Sequence, residues 1–485
     1  MGVAKGGEAR IQWAMEQTET EIRKAAARAN NQANKIRSIN IAAFGFSRGA
    51  AAARAFARRI ADKSERAGAR WVWKAGGHPV RLYFLGLFDT VASVGVPATV
   101  RKYRTLIPPN VSSIGWLPVL IASTADGHAA WAGNLRIPPM VERCVHYCAA
   151  HEIRNSFPLD TVLENGRYPD NCVEVFYPGA HSDVGGGYRP GEGGRNSNRF
   201  AMLSLVPLKA MYDEAIKAGV PLVDVANAED RVKEDFLPLQ GANTEARLLL
   251  SQRFNQYMNT VGWGGRSVGE TVRAHMHMYF RWRIVHIGRK TAARQQGERD
   301  WETQRLEKYE AQLAAERREK QAELKRLDAA FRSASVARDL AWDDFRRNLR
   351  KEKGAAYEEA KQHHEEARWA KAHQEAVVTT MPVESEKLIA ALDKYDRQFL
   401  QDSARVRAAD PETLRPFAKM LRDAWEAEPL TDPEIIAFFD DYVTDSLAGF
   451  DTRLDLTRAT EHRRLYQGGD ATIDYAALRA EQRAA

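Results

Sequence analysis

At 485 residues with 44% hydrophobic side chains, the chain is long enough for two or three domains and too apolar for a disordered polymer. Three cysteines, an odd number in a long chain, argue against a disulfide framework. The net charge of +7 comes from acids and bases that alternate along the chain with no nucleic-acid-binding motif, so neither RNA nor DNA is expected as a partner.

Glu8 to Ala33 is free of Pro and Gly and predicts a helix ended by a turn near Asn34. Ser38 to Phe44 reads as a short buried strand, and Arg48 to Lys63 as an alanine-rich helix. Val80 to Phe88, bounded by Gly77 and Asp89, predicts a second buried strand. The run Ile114 to Ser123 is too short to span a bilayer, which takes about 20 residues. Within it, the stretch around Trp116 to Ile121 fits both a lid that dips into lipid and a buried core segment. Cys144 and Cys148 are spaced as one helical turn and lack the second ligand pair of a zinc site, so with Cys172 they read as small buried hydrophobes. Cys172 to Tyr177 predicts a third strand, ending at Pro178. Pro207 to Gly219 fits a covering helix with proline in its first turn and a glycine stop.

From Gln295 to Glu375 the composition turns to Glu, Lys, Arg, Gln and Ala, a charged helical arm with Gly354 as its one obvious break. Leu306, Tyr309, Leu313, Leu324, Leu327 and Phe331 partly follow a heptad that Arg317 and Lys320 interrupt, so a coiled coil and a solvated helical hairpin both fit. After Pro382 the composition is mixed through Phe450 and then polar. The division expected is residues 1–294 as the catalytic domain, 295–380 as the arm, and 381–485 as a helical region packing on the first, with a polar tail. No secretory leader is visible at the start.

The strongest local signal is Gly45-Phe46-Ser47-Arg48-Gly49, a G-x-S-x-G between a predicted strand and a predicted helix. In a nucleophile elbow the serine sits on a strained turn, and flanking glycines remove side chains that would collide with the strand and helix. The Arg48 N–H, at a helix N-terminus, is then placed to stabilise an oxyanion. A structural turn of small residues is the plain alternative. A serine hydroxyl needs a base and a group that orients the base. Among 12 histidines, His181 stands out in Pro178-Gly179-Ala180-His181-Ser182-Asp183-Val184-Gly185-Gly186-Gly187-Tyr188, just past a strand. Gly185, Gly186 and Gly187 permit backbone conformations closed to other residues. An anion-binding or purely structural glycine turn is the competing reading.

Asp89 is favoured as the orienting acid, because it ends the second strand and gives the chain order Ser, Asp, His. Asp183 is the competitor; two residues from His181, it is better suited to fix the glycine loop or to help hold a cation. His275 and His277 share a segment that fits a core strand or a helix, while His363 and His364 on the arm read as solvated. The fold class expected is α/β, an α/β-hydrolase-like, mainly parallel sheet flanked by helices, since strands alternate with helical stretches and reactive groups in such sheets collect at the strands' carboxyl ends.

GFSRGAA, LGLFDTV and YPGAHSDVGGGY together resemble the α/β-hydrolase domains of phospholipase effectors of bacterial type VI secretion systems, over about residues 36–220. Leu205 to Leu222 is similar to the stretch after the histidine motif in that family, and Tyr442 to Phe450 resembles a family segment often written with histidine where Thr444 stands. The resemblance implies a Ser-Asp-His triad at Ser47, Asp89 and His181. It also implies hydrolysis of phospholipid acyl esters without metal or cofactor, delivery to the envelope of a competing cell, and a spike protein and an immunity protein as partners. Family domains begin with a strand and an Asp-Gly-Thr type turn that completes the oxyanion hole. The residues before Ser47 supply none, which implies a missing upstream segment or a strand from another chain. A general esterase of soluble substrates and a non-catalytic binding module are the alternatives.

Overall fold

The structure, a computed structural model, describes residues 7–29, 35–92, 130–236, 242–262, 267–348, 351–379, 385–446, 463–467 and 471–472. It divides into two compact units, Met1–Glu298 with Ala391–Ala485, and Arg299–Ala390.

In the first unit, helix α1 (Gly7–Arg28) buries Ile11, Met15 and Ile22, a single stripe of the helical period. Strand β1 (Ile39–Phe46) feeds helix α2 (Arg48–Asp62), whose buried alanines at 50, 53 and 57 let its backbone lie close to the sheet. A hairpin of β2 (Ser64–Ala67) and β3 (Arg70–Trp73) follows, absent from the sequence reading. Strand β4 (His78–Phe88) pairs antiparallel with β3 at its start and parallel with β1 along its length. Strands β5 (Cys144–Ala149) and β7 (Cys172–Tyr177) continue the sheet in parallel on the far side of β4. The six-stranded sheet is therefore mixed, and the strands that carry the candidate site residues are its parallel ones. Among the described residues β1 pairs with β4 alone.

Burial on both faces explains the long apolar run of β4. Val80, Leu82, Leu85 and Leu87 pack with α1 and α2, while Tyr83 and Phe84 join a larger core on the opposite face. Each such side chain contributes roughly 1.5–3 kcal/mol relative to exposure. Cys144 and Cys148 are buried as expected but are not one helical turn apart: both lie on β5, separated by about 13 Å of extended chain. The neighbours Val145, His146 and Tyr147 form ladders with β4 and β7, and this pairing decides strand over helix.

The opposite face is covered by helices. After the short β6 (Leu159–Thr161) and one-turn α3 (His181–Gly185) come α4 (Leu205–Lys217), α5 (Asp230–Phe236), α6 (Ala242–Val261) and α7 (Val268–Gln295). Helix α4 starts ahead of Pro207 and stops at Gly219, which has φ 88°. The segment holding His275 and His277 is helical: it belongs to α7, where Val272, Met276, Tyr279, Phe280 and Trp282 are also buried.

In the second unit, α8 (Trp301–Asn348) and α9 (Lys351–Thr379) run antiparallel, tied by Asp328–Lys371 at 2.6 Å, Arg338–His364 at 3.2 Å and the stacked rings of Phe345 and Tyr357. The break between them is not at Gly354, which lies inside α9, and His364 is half-buried against Phe331 instead of solvated. Helix α10 (Ser385–Ala408) begins in this unit, where Ser385 Oγ donates to Glu310, and continues into the first. There α11 (Pro416–Glu426) and α12 (Pro433–Asp441) each start on proline. Strand β8 (Leu465–Gln467) then pairs parallel with β6 and antiparallel with β9 (Ala471–Thr472), a second small sheet unannounced by the sequence. The apolar run 114–123 and the polar tail from residue 473 lie outside the described residues. No described helix is long and apolar enough to cross a membrane.

Arg54 of α2 ties this architecture together from within. It is fully buried, and it donates from Nε to Leu135 O at 2.6 Å, from Nη1 to Asp160 O at 2.8 Å and from Nη2 to Thr161 O at 3.0 Å. Arg54→Met leaves those buried carbonyls without their donors, so we expect a loss of about 3 kcal/mol, read from the midpoint of urea unfolding.

Candidate active site

Ser47 occupies a backbone conformation that L-residues rarely adopt, φ 58° and ψ −126°, at the junction of β1 and α2. Its N–H donates to Phe88 O at 3.0 Å, and its carbonyl accepts from Ala50 and Ala51 of the helix and from Val91 at 3.3 Å. The elbow is thereby bonded to both flanks of the turn that carries Asp89. Gly45 is required by packing: a Cβ there falls 2.4 Å from the Gly49 carbonyl oxygen and 2.6 Å from the Ala50 Cα. Gly49 is different, since a Cβ there meets nothing within 4 Å, and the expectation that both glycines relieve collisions holds for the first alone. Arg48 is the first residue of α2, where a backbone N–H has no acceptor within its own helix.

Asp89 has no exposed surface, and its own φ of 37° adds a second strained residue to the site. Its Oδ2 lies 2.6 Å from His181 Nδ1, and its Oδ1 accepts the Ala149 N–H at 2.8 Å. Arg463, between the C-terminal helices and β8, donates to Oδ2 from Nη1 and to Oδ1 from Nη2, each at 2.7 Å. Burial presses the Asp89 carboxyl upward, but the Arg463 charge and the hydrogen bonds from Arg463 and His181 outweigh it and hold it well below the usual carboxylate range.

His181 opens the one-turn α3 just past β7. The Phe46 ring lies 4.5 Å from the imidazole, centroid to centroid, and the Phe157 ring meets it edge-on at 4.9 Å. A Cβ on Gly185 would fall 2.0 Å from the Phe46 ring, so this glycine clears the space that brings the elbow and the histidine loop together. Gly186 and Gly187, at φ 80° and 117°, turn the chain away in conformations costly for other residues. With Nδ1 on Asp89, His181 Nε2 is buried and has no hydrogen-bond partner among the described residues. Asp89 and His181 are thus in direct contact, while Ser47 is joined to them through the backbone and the Phe46 ring; its hydroxyl does not bond Nε2.

Asp183 serves the loop. Its Oδ2 accepts the N–H groups of Ala180 and Thr444, both at 2.9 Å, and its Oδ1 accepts the Thr444 hydroxyl at 2.8 Å. In the same C-terminal segment Asp445 pairs with buried Arg283, and Ser446 Oγ accepts from Ile153 N at 3.4 Å. Burial pushes the Asp183 carboxyl up to about 7 against the pull of the Ala180 and Thr444 donors. Glu152 accepts from the His181 N–H at 3.2 Å and is paired with Arg154 at 2.6 Å.

Beneath the Asp89 turn, Thr90 N donates to His146 Nε2 at 3.1 Å, which leaves Nδ1–H for Glu174 at 2.8 Å. His146, Cys148 and Glu174 bring ligand atoms within 4.8 Å of one another, the one such group confined to the described residues of this unit. Hydrogen bonds account for both ring nitrogens, and Glu174 also takes the Val162 N–H and the Tyr168 hydroxyl. His275 bonds the Tyr257 hydroxyl at 2.7 Å, and that hydroxyl lies 3.0 Å from His151, which in turn accepts the Gly179 N–H. Arg463, Glu152 and His151 were missed by sequence reasoning. Arg463 follows a run without periodicity and offered no local signal, while Glu152 and His151 directly follow a strand that was itself unread.

With this geometry in hand, the resemblance to type VI secretion phospholipase effectors extends beyond the motifs: residues 63–214 match the family model described as T6SS, phospholipase effector Tle1-like, catalytic domain. Asp89 and His181 lie inside the matched region and Ser47 ahead of it. A crystal structure of an uncharacterized protein from Pseudomonas aeruginosa is similar over 96% of this chain at 23% identity, with a TM-score of 0.56, a likeness of fold. The chain spans 62% of the length of that protein. A structure of the Tle1 effector bound to the VgrG spike from the type 6 secretion system matches over 39% of this chain and 32% of that one, at 28% identity and a TM-score of 0.23. No curated protein matches the chain.

Two outcomes test the site's construction. Gly45→Ala forces backbone against backbone and lowers the melting temperature, whereas Gly49→Ala, in the first turn of a helix with open space around it, raises stability by up to about 1 kcal/mol. Parallel thermal melts give the two signs. Asp183 holds a proton in the folded state that an unfolded chain, with a pKa of about 4, has already released. Its contribution to stability is therefore complete below pH ~4 and fades as pH rises through about 7. The melting temperature of the parent should fall relative to that of Asp183→Asn over this window.

Proposed function

We propose that this protein is a serine hydrolase of the α/β-hydrolase class that cleaves the acyl esters of phospholipids, with Ser47 as nucleophile, His181 as base and Asp89 as the group that orients the base. The observation that carries this reading is the 2.6 Å bond from Asp89 to His181 Nδ1, with Nε2 left open among the described residues beside a strained serine elbow. A proton fixed on Nδ1 leaves the Nε2 lone pair as the acceptor, the tautomer a general base requires. Ser47 Oγ then bonds to the ester carbonyl carbon as its proton moves to Nε2, and the Arg48 N–H stabilises the oxyanion. The proton passes from Nε2 to the departing alcohol oxygen as the carbon–oxygen bond breaks. Water, deprotonated by the same nitrogen, releases the fatty acid and restores the serine. The Ser47 hydroxyl comes within reach of Nε2 only when substrate binds, as such hydrogen bonds often tighten only in the complex.

The lipid substrate rests on the family matched by residues 63–214. The same family reading implies an antibacterial effector carried to the envelope of a target cell by the secretion apparatus, with a spike protein and an immunity protein as partners. Metal and cofactor have no step in this chemistry.

A fluorophosphonate probe should label the parent and spare Ser47→Ala; equal labelling would remove Ser47 from the mechanism. On phospholipid vesicles the parent should release fatty acid, and Asp89→Asn should lower kcat on the order of 10⁴-fold by favouring the wrong tautomer. Turnover of short-chain nitrophenyl esters with none on vesicles would shift the substrate to soluble esters. Vesicle binding without turnover of either would make the chain a binding module.

A further inference from the structure

We propose that Arg463 is a positioning residue of this site, a clamp that holds the Asp89 carboxylate in the single orientation that serves His181. The inference rests on the hydrolase reading above and adds to it a residue from the far end of the chain. A carboxylate has about four lone-pair sites. At Asp89 all are taken: Oδ1 by Ala149 N–H and Arg463 Nη2, Oδ2 by His181 Nδ1 and Arg463 Nη1. Rotation of the carboxylate breaks two charge-assisted bonds at once, the strongest class available to it.

Charge leads to the same residue. Asp89 and Arg463 are both without exposure, and a buried carboxylate needs a cation. The base must be neutral at rest, so His181 does not supply that charge. The other titratable groups around the turn do not supply it either: Cys148 is a buried thiol, Glu152 is matched by Arg154, and His146 is engaged by Thr90 and Glu174. Arg463 is the one cation bonded to Asp89 among the described residues. It is held in turn by the Ala149 carbonyl at 2.7 Å, and the next residue, Arg464, accepts the Leu159 N–H at 2.9 Å where β8 joins β6. A guanidinium here also draws on the negative charge that Asp89 offers to the imidazolium, so its benefit lies in geometry and belongs in kcat.

The test compares Arg463→Met and Arg463→Lys with the parent and Ser47→Ala in the full chain, as ester turnover from about pH 5 to about pH 9. Arg463→Met should lose kcat on the order of 10²-fold with KM within about twofold. Its acid limb should move to higher pH, because loss of the guanidinium charge makes the coupled Asp89–His181 pair take up a proton more readily. Arg463→Lys should lie between parent and Met. Parent-like kcat and acid limb in Arg463→Met overturn the inference. Urea unfolding supplies a readout free of turnover: Arg463→Met should lower the midpoint much less in an Asp89→Asn background than in the parent, and equal losses in both overturn the clamp. If the parent neither labels nor hydrolyses, the hydrolase reading falls and the positioning role with it. A parent that depends on Ser47 but is indifferent to Arg463 removes the clamp alone.

Discussion

A carboxylate set at the end of β4 with no access to water has to be met by donors before the protein can close over it, and the surroundings of the site are shaped by that requirement. Asp89 draws its donors from three places: the end of β5 through Ala149, the turn after β7 through His181, and the lead into β8 through Arg463. Each comes from a different element of the fold. The small sheet of β6, β8 and β9 has its meaning here, since a three-residue ladder fixes the segment that carries the arginine. Deeper down, Thr90 is bonded to His146, so the turn is fixed on its inner side as well.

Two buried acids flank His181 and are treated in opposite ways. Asp89 is given a full positive charge, and its acidity rises; Asp183 is given only neutral donors from Ala180 and Thr444, and its acidity falls. Environments that drive two similar groups apart are how one fold assigns them different work. One acid faces the imidazole, while the other staples the glycine loop to the segment at Thr444. That segment is anchored at three successive residues, through Asp183, Arg283 and Ile153, which gives a physical reason for its motif-like appearance.

The legible parts of the sequence were those with dense local pattern. The run from Val80 to Phe88 and the run from Cys172 to Tyr177 are apolar, bounded by turn residues, and found as strands with ends that differ by two residues at most. The elbow was readable because its glycines and serine sit between two such elements. β5 was not, because Cys144-Val145-His146-Tyr147-Cys148 mixes polar and apolar side chains and becomes a strand through its neighbours on both sides. Gly354 misled for the opposite reason: a glycine in a helix costs about 1 kcal/mol, which a long hairpin partner outweighs. Arg463 had no pattern at all, since one of two adjacent arginines in a polar stretch gains its role only from where the chain returns.

Asp89 and Arg463 stand 374 positions apart. A chain emerges from the ribosome N-terminus first, at ~5–20 residues per second, so a nascent molecule carries elbow, acid and histidine for some tens of seconds before its guanidinium exists. Throughout that interval the sheet end around Asp89 lacks two of its four donors. Translation therefore imposes an order: the reactive corner matures only after the segment that carries Arg463 has been made and docked.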